Sequence, residues 1–306
     1  MHCTAIVAAA MFQIARRFSR LIQRIQPGPV AVLRARSQFA QIRARLGRSF
    51  LVSRVVPLGS HAKGTALQRF SDVDILAVLR RREARWGGGY VSSDTLLRSV
   101  RDDLVGRYPD TETRRDGQAV AVRFAQGAHP VDVVPAVFQK AAANGYPVYR
   151  IPDGAGDWIL TAPDIHAAYF RSADRRSGGK LRHVVQLLKF WVQARATALP
   201  LSSFHLEMVL ASSGVSEGAM PYSQAVASSF LYLANRDGGA LRDPCGVSGL
   251  ITANDTDAKQ RVLSRALEYA ADHAHTAFVA EQRGDSAEAI RQWRIVFGDW
   301  FPLTAA

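Results

Sequence analysis

Three aspartates stand where apolar strands are expected: Asp72 and Asp74 in "SDVDILAVL" (71–79), and Asp132 in "HPVDVVPAV" (129–137). On a strand, side chains two apart share a face, so Asp72 and Asp74 aim one way and Val73 the other. Burying an unpaired carboxylate is costly, and two close together repel, so something positive belongs between them. Hard divalent cations suit paired carboxylates on rigid strands. Three acids on neighbouring strands can hold two such ions, which stabilise the attacking and leaving oxygens of an in-line phosphoryl displacement. An Asp-x-Asp pair alone is common and is ordinarily a solvated strand edge or a turn. Here the aliphatics flanking all three acids, the third acid on a later strand and the upstream "GS" (59–60) add weight. Gly59 lets the backbone turn tightly and approach a ligand, and Ser60 offers a hydroxyl and a nearby amide to a phosphate oxygen.

These residues need elements to position them. Two amphipathic helical patterns, roughly 9–25 and 30–46, open the chain, divided by "QPGP" (26–29). Strand signals follow at 50–58 and 71–79, separated by the Gly-Ser turn and a short helical stretch. The arginine- and glycine-rich "RRREARWGGGY" (80–90) reads as a loop, and a helix is expected from about Ser93 to Arg107, with Ser92 or Ser93 as N-cap. Strands are expected at 118–125 and 129–137, with "AQGA" (125–128) as a hairpin turn. "IPDGAGDW" (151–158) reads as a turn-rich joint. From about Pro163 the chain reads as helices, with loop-rich intervals near 211–222 and 237–257. The expected class is therefore α/β (α+β), divided into residues 1–155, the N-terminal helices and sheet core, and 156–306, a helical lobe.

Composition sets outer limits. The chain has 306 residues, 48% hydrophobic, enough for one large or two medium domains with a sizeable core. No apolar stretch approaches membrane-spanning length, so no membrane partner is expected. The apolar run near the start precedes its arginines, the reverse of a secretory signal, and a cytoplasmic location is expected. Cys3 and Cys245 form no disulfide framework and lack metal-ligand spacing. The net charge of +13 fits a solvated arginine-rich surface, a basic groove, or a site for polyanionic nucleotides, and by itself does not choose among them.

In "GGKLRHVVQLLKFWVQAR" (178–195) an apolar stripe recurs at helical spacing, and Lys189 flanks it, ordinarily the place of a snorkelling surface lysine. In "LPLSSFHLEMVL" (199–210), Ser202 or Ser203 would cap a new helix, and a helix N-terminus is also a ready anion site.

The ordered set "GS", "GT" (64–65), "SDVD", "VDVVPA", "LLKFW" and "SSFHL" resembles the nucleotidyltransferases of the polymerase-β type. Within them it is most similar to the branch of cyclic GMP-AMP synthase, oligoadenylate synthase and the bacterial CD-NTases of CBASS anti-phage systems. The resemblance spans roughly residues 18–255. It implies a two-lobed nucleotidyltransferase core with a mixed sheet and a helical C-terminal lobe. It also implies two Mg²⁺ (or Mn²⁺) ions held by Asp72, Asp74 and Asp132, with Asp132 activating the attacking ribose hydroxyl. Gly59, Ser60, Lys189 and Ser203 would hold the nucleotide triphosphate, and Phe204 would stack on a base, although burial in the core is its ordinary role. The implied activity is condensation of NTPs into a cyclic di- or trinucleotide read by a separate effector protein, with a regulatory protein or nucleic acid as possible activator. A linear oligonucleotide synthase, a transferase modifying RNA or protein, and a nucleic-acid-binding protein with an inactive core are the alternatives. No Cys/His cluster has zinc-ligand spacing, so the zinc-bearing DNA sensor of the animal enzyme is not expected.

Overall fold

The computed structural model describes residues 2–109, 111–124, 130–195 and 197–304. In chain order it begins with α1 (His2–Ile25), α2 (Pro29–Ser49), β1 (Val52–Pro57), α3 (Gly59–Lys63) and β2 (Val73–Leu79). A 3₁₀ turn at Arg81–Ala84 leads into β3 (Arg85–Trp86), β4 (Gly89–Tyr90) and α4 (Ser93–Arg107). Five strands follow: β5 (Glu112–Asp116), β6 (Ala119–Arg123), β7 (Val131–Ala141), β8 (Pro147–Pro152) and β9 (Trp158–Thr161). The rest comprises α5 (Pro163–Arg176), α6 (Leu181–Gln193), α7 (Ser203–Ser213), α8 (Tyr222–Ala234), β10 (Leu241–Arg242), β11 (Leu250–Ile251), α9 (Asp257–Gln282) and α10 (Ser286–Phe297).

The chain forms two compact units. A sheet unit holds Pro27–Ala168 with Cys245–Ser248, and a helical unit holds Met1–Gln26, Tyr169–Pro244 and Gly249–Ala306. This differs from a division at 155/156, because α1 groups with the later helices. Its apolar face (Ile14, Phe18, Leu21, Ile22, Ile25) is buried. Phe18 meets Trp293 edge-on at 4.9 Å and Phe301 at 5.2 Å, an aromatic cluster assembled from both chain ends.

In the sheet unit the strand order is β1-β2-β7-β6-β5, with β8 also on β7 and β9 on β8. Only β2 and β7 run parallel; the other pairs are antiparallel, making the sheet mixed. β2 is apolar on both faces, as a central strand must be. Val73, Ile75, Ala77 and Leu79 pack in one core with Ile42 and Leu46 of α2 and Leu96, Leu97, Val100 and Leu104 of α4. Leu76 and Val78 pack on the opposite face with Ala136, Tyr149 and Ile151.

Several local expectations change. Residues 80–90 are a 3₁₀ turn and a small hairpin rather than a loop, and β8 and β9 flank the joint at 151–158. Strand β5, "ETRRD", lacks apolar alternation because it closes the sheet edge with only its neighbour β6. The turn expected at 125–128 lies outside the described residues, while β6 and β7 do pair antiparallel. Ser92 is the residue before α4, and Ser202 caps α7, its hydroxyl accepting from the His205 amide. Among the described residues, no helix is long and apolar enough to cross a membrane.

Candidate active site

Register brings the acids together. β2 and β7 pair so that Asp74 lies opposite Asp132, with Val73 opposite Val131 and Ile75 opposite Val133. The flanking valines and isoleucine are buried in the core under α2 and α4, which turns Asp74 and Asp132 to the other face of the sheet. Both are half-buried, and Asp72, immediately before β2, is exposed. The row continues across the antiparallel strands: Asp132 faces Ala121 of β6, and Ala121 faces Arg114 of β5.

The turn between β1 and β2 is shaped around Asp74. The Leu58 amide donates to the Asp74 carbonyl at 2.8 Å. Gly59 follows at φ +57°, and a Cβ built there would stand 1.9 Å from Asp74 Oδ2. Only glycine tolerates both the left-handed backbone and this approach. Ser60 is buried in the short α3, where its carbonyl accepts from the Thr65 amide at 2.9 Å. The loop back to β2 is held by Ser71, whose hydroxyl accepts from the Leu67 amide at 2.8 Å. Glycine is thus required here by the carboxylate as well as by any ligand.

The electrostatics report crowding of like charge. Asp132 is pushed up to about 6, first by burial and then by the charges of Asp72 and Asp116, with Arg123 and Arg114 pulling the other way. Arg114 and Arg123 are themselves balanced by Asp116 and Glu112, at 3.4 and 3.8 Å. Carboxylate oxygens gathered on adjacent strands are the donor type that oxygen-ligated divalent ions prefer. Arg114, Arg123 and Asp116 were not singled out in the sequence. Their relation to Asp132 arises from strand register, which the local pattern of "ETRRD" does not carry.

In the helical unit α6 is buried nearly all round, from Val184 to Val192. Lys189 is not a snorkelling surface residue: it is buried, and its Nζ lies 3.4 Å from Glu207 Oε1 of α7, a side chain only 2% exposed. A lysine in such surroundings requires an anionic partner. Glu207 went unnoticed in the sequence; its position one turn after Ser203 in "SFHLE" is the signal that could have found it. Ser203 is exposed at the first position of α7, and Phe204 beside it is half-buried. Within the sheet unit, then, Gly59, Asp74 and Asp132 come together with Asp72 close enough to act on Asp132. Within the helical unit Lys189 and Ser203 lie on the packed pair α6 and α7.

Comparison with known proteins bears on the family and fold of the chain. The model of the Second Messenger Oligonucleotide or Dinucleotide Synthetase (SMODS) domain matches residues 12–173, just over half of the chain. A probable cyclic nucleotide synthase of Bacillus cereus is 24% identical over 247 residues, covering 78% of this chain and 74% of that protein. A cyclic AMP-AMP-AMP synthase of Escherichia coli is 26% identical over 202 residues, 61% of this chain and 59% of that one. Among solved structures, E. coli CdnC in complex with a HORMA protein matches with a TM-score of 0.72 at 21% identity, covering 94% of this chain and 97% of that one. CdnC solved with ATP matches with a TM-score of 0.70. The chain belongs to the Second Messenger Oligonucleotide or Dinucleotide Synthetase family, the CD-NTases, and is a nucleotidyltransferase of the cyclic oligonucleotide synthase kind.

Proposed function

We propose that the chain condenses nucleoside triphosphates into a cyclic di- or trinucleotide, with Asp72, Asp74 and Asp132 as its catalytic and metal-holding residues. The observation that carries the reading is the pairing of Asp74 with Asp132 on adjacent parallel strands, beside a glycine whose missing side chain leaves room for the Asp74 carboxylate. Two Mg²⁺ or Mn²⁺ ions fit this donor set of carboxylate oxygens, and when bound they supply Lewis acidity to the attacking and leaving oxygens. Asp132 accepts the proton of the attacking ribose hydroxyl, which forms a bond to the α-phosphorus as pyrophosphate departs. An acid whose affinity for a proton is raised toward neutrality suits that role. Gly59 and Ser60 present backbone and hydroxyl to the donor triphosphate. In the helical unit, Lys189 and Ser203 are assigned to a nucleotide triphosphate and Phe204 to a base. The family resemblance supports these assignments.

A separate effector reads the product, in anti-phage signalling of the CBASS kind. The complex of the related CdnC with a HORMA protein supports a regulatory protein partner for this chain as well. The test is incubation of the purified chain with labelled NTPs and Mg²⁺ or Mn²⁺, then phosphatase treatment and chromatography. A phosphatase-resistant product, lost on Asp72→Ala/Asp74→Ala, is expected. Oligomers that phosphatase trims would replace the cyclic assignment with a linear synthase.

A further inference from the structure

The hairpin β3–β4 has no part in the chemistry above. It follows the end of β2 opposite the acids, about 17 Å along the strand from Asp74 at 3.3 Å per residue. Its tip carries Trp86, 86% exposed, the most exposed large apolar side chain among the described residues. The pairing explains why nothing covers it. Arg85 lies opposite Tyr90, and Trp86 lies opposite Gly89, which has no side chain to offer.

The hairpin is anchored at its base. The Val91 amide donates to the Ala84 carbonyl at 2.9 Å. The Tyr90 ring is approached by the guanidinium of Arg85 at 5.4 Å and by that of Arg150 at 5.3 Å. Trp158 lies 5.7 Å from Tyr90 and donates through its indole nitrogen to the Val91 carbonyl. Trp86 is thus displayed on a fixed support, at a cost in exposed apolar area that the fold does not recover.

Around it the charge is of one sign. Arg80 and Arg82 are exposed and, among the described residues, meet no carboxylate; Arg81 and Arg85 donate to backbone carbonyls. The single acid in the stretch, Glu83, accepts from the Leu51 amide. Guanidiniums without carboxylates beside an uncovered aromatic face are what a strand of phosphates and unstacked bases requires. A duplex hides its base faces and cannot use the indole.

We infer that the 80–90 hairpin is a binding site for single-stranded nucleic acid, with Trp86 stacking on a base and Arg80 and Arg82 contacting phosphates. The test is fluorescence anisotropy of a labelled dT20 oligonucleotide and of the corresponding duplex, with the full chain, across a salt series. Trp86→Ala should weaken single-strand binding roughly 5- to 150-fold, the scale of one lost stacked base, and Trp86→Phe should restore most of it. Arg80→Glu/Arg82→Glu should weaken binding at least about 10-fold and flatten the salt dependence. Arg34→Glu/Arg36→Glu, an equal charge change on exposed positions of α2, should do little, and Asp72→Ala/Asp74→Ala should bind normally. Unchanged melting temperatures would show that the hairpin variants fold. The inference is overturned if Trp86→Ala binds like the wild type, if both arginine pairs matter equally, or if duplex is preferred. Absence of dT20 binding would also overturn it, leaving the surface to an acidic protein.

Discussion

The sheet unit and the helical unit each place ionised groups in low-dielectric surroundings, and they do so in opposite ways. In the sheet, backbone register brings Asp74 beside Asp132, with Asp72 just ahead of β2, and the proton affinity of Asp132 is raised first by burial and then by the charges of Asp72 and Asp116. In the helical unit, one lysine and one glutamate of opposite sign face each other across α6 and α7, both buried. The first arrangement gathers like charges, and the second pairs unlike ones. A ladder of hydrogen bonds can hold repelling side chains because the backbone, not the carboxylates, secures the strands. Helix packing has no such ladder between elements, so a charge buried there is met by an opposite charge, as at Lys189, or by a proton, as the raised proton affinity of Glu281 shows.

The largest effect that would sharpen this contrast is on activity. Asp72→Ala/Asp74→Ala should lower synthesis by at least about 100-fold, the scale of removing preorganised electrostatic stabilisation of the reacting oxygens, with thermal stability unchanged or raised. A matching loss of stability would break the comparison, because the acids would then be holding the fold.

Next is the buried pair. Glu207→Ala should destabilise the chain by about 3–5 kcal/mol in denaturant unfolding, since it strands the Lys189 ammonium in the interior. Lys189→Met/Glu207→Leu should recover most of that loss. If the single variant costs no more than a surface substitution, the pair is not the matched charge described above.

Gly59→Ala should cost about 1–3 kcal/mol from the left-handed backbone alone, with further loss of activity as Asp74 is displaced. Activity equal to the wild type would show that the Asp74 carboxylate has freedom the geometry denies it.

The smallest effect concerns Glu281, at the end of α9 in the helical unit. Burial raises its carboxyl from 4.5 to about 7, partly offset by the Ser223 hydroxyl. The folded chain therefore binds this proton more tightly than the unfolded chain, and this residue's contribution to stability falls as pH rises from about 4.5 to about 7. Glu281→Gln should remove that slope and raise the melting temperature at pH 7.5 more than at pH 5. An equal change at both would show that the carboxyl does not titrate in this window.

Where a local pattern is itself the physical cause, it could be read directly. The aliphatic runs of β2 and β7 announce central strands because both faces are covered, and aspartates inside such runs stand out because little else explains them. The break at 26–29 is legible because proline cannot continue a helix. Glu112–Asp116 was not legible, since an edge strand facing solvent needs no apolar alternation, and the strands around 151–158 were hidden by the glycines between them. Lys189 misled for a related reason. The stripe on α6 reads as one buried face, whereas α1, α7 and α8 all pack against this helix.

By itself, then, the sequence determined which residue types stand at which spacing: the acids within apolar strands, the glycine before them, and the lysine and serine on successive helices. These follow from local chemistry and the periods of strand and helix. Only the tertiary structure decided that Asp74 faces Asp132 and not a residue one step away, that Arg114 completes their row, and that Glu207 answers Lys189. Register and helix packing are settled by non-local burial, where a one-residue slip would turn a valine face outward and carry the carboxylates into the core.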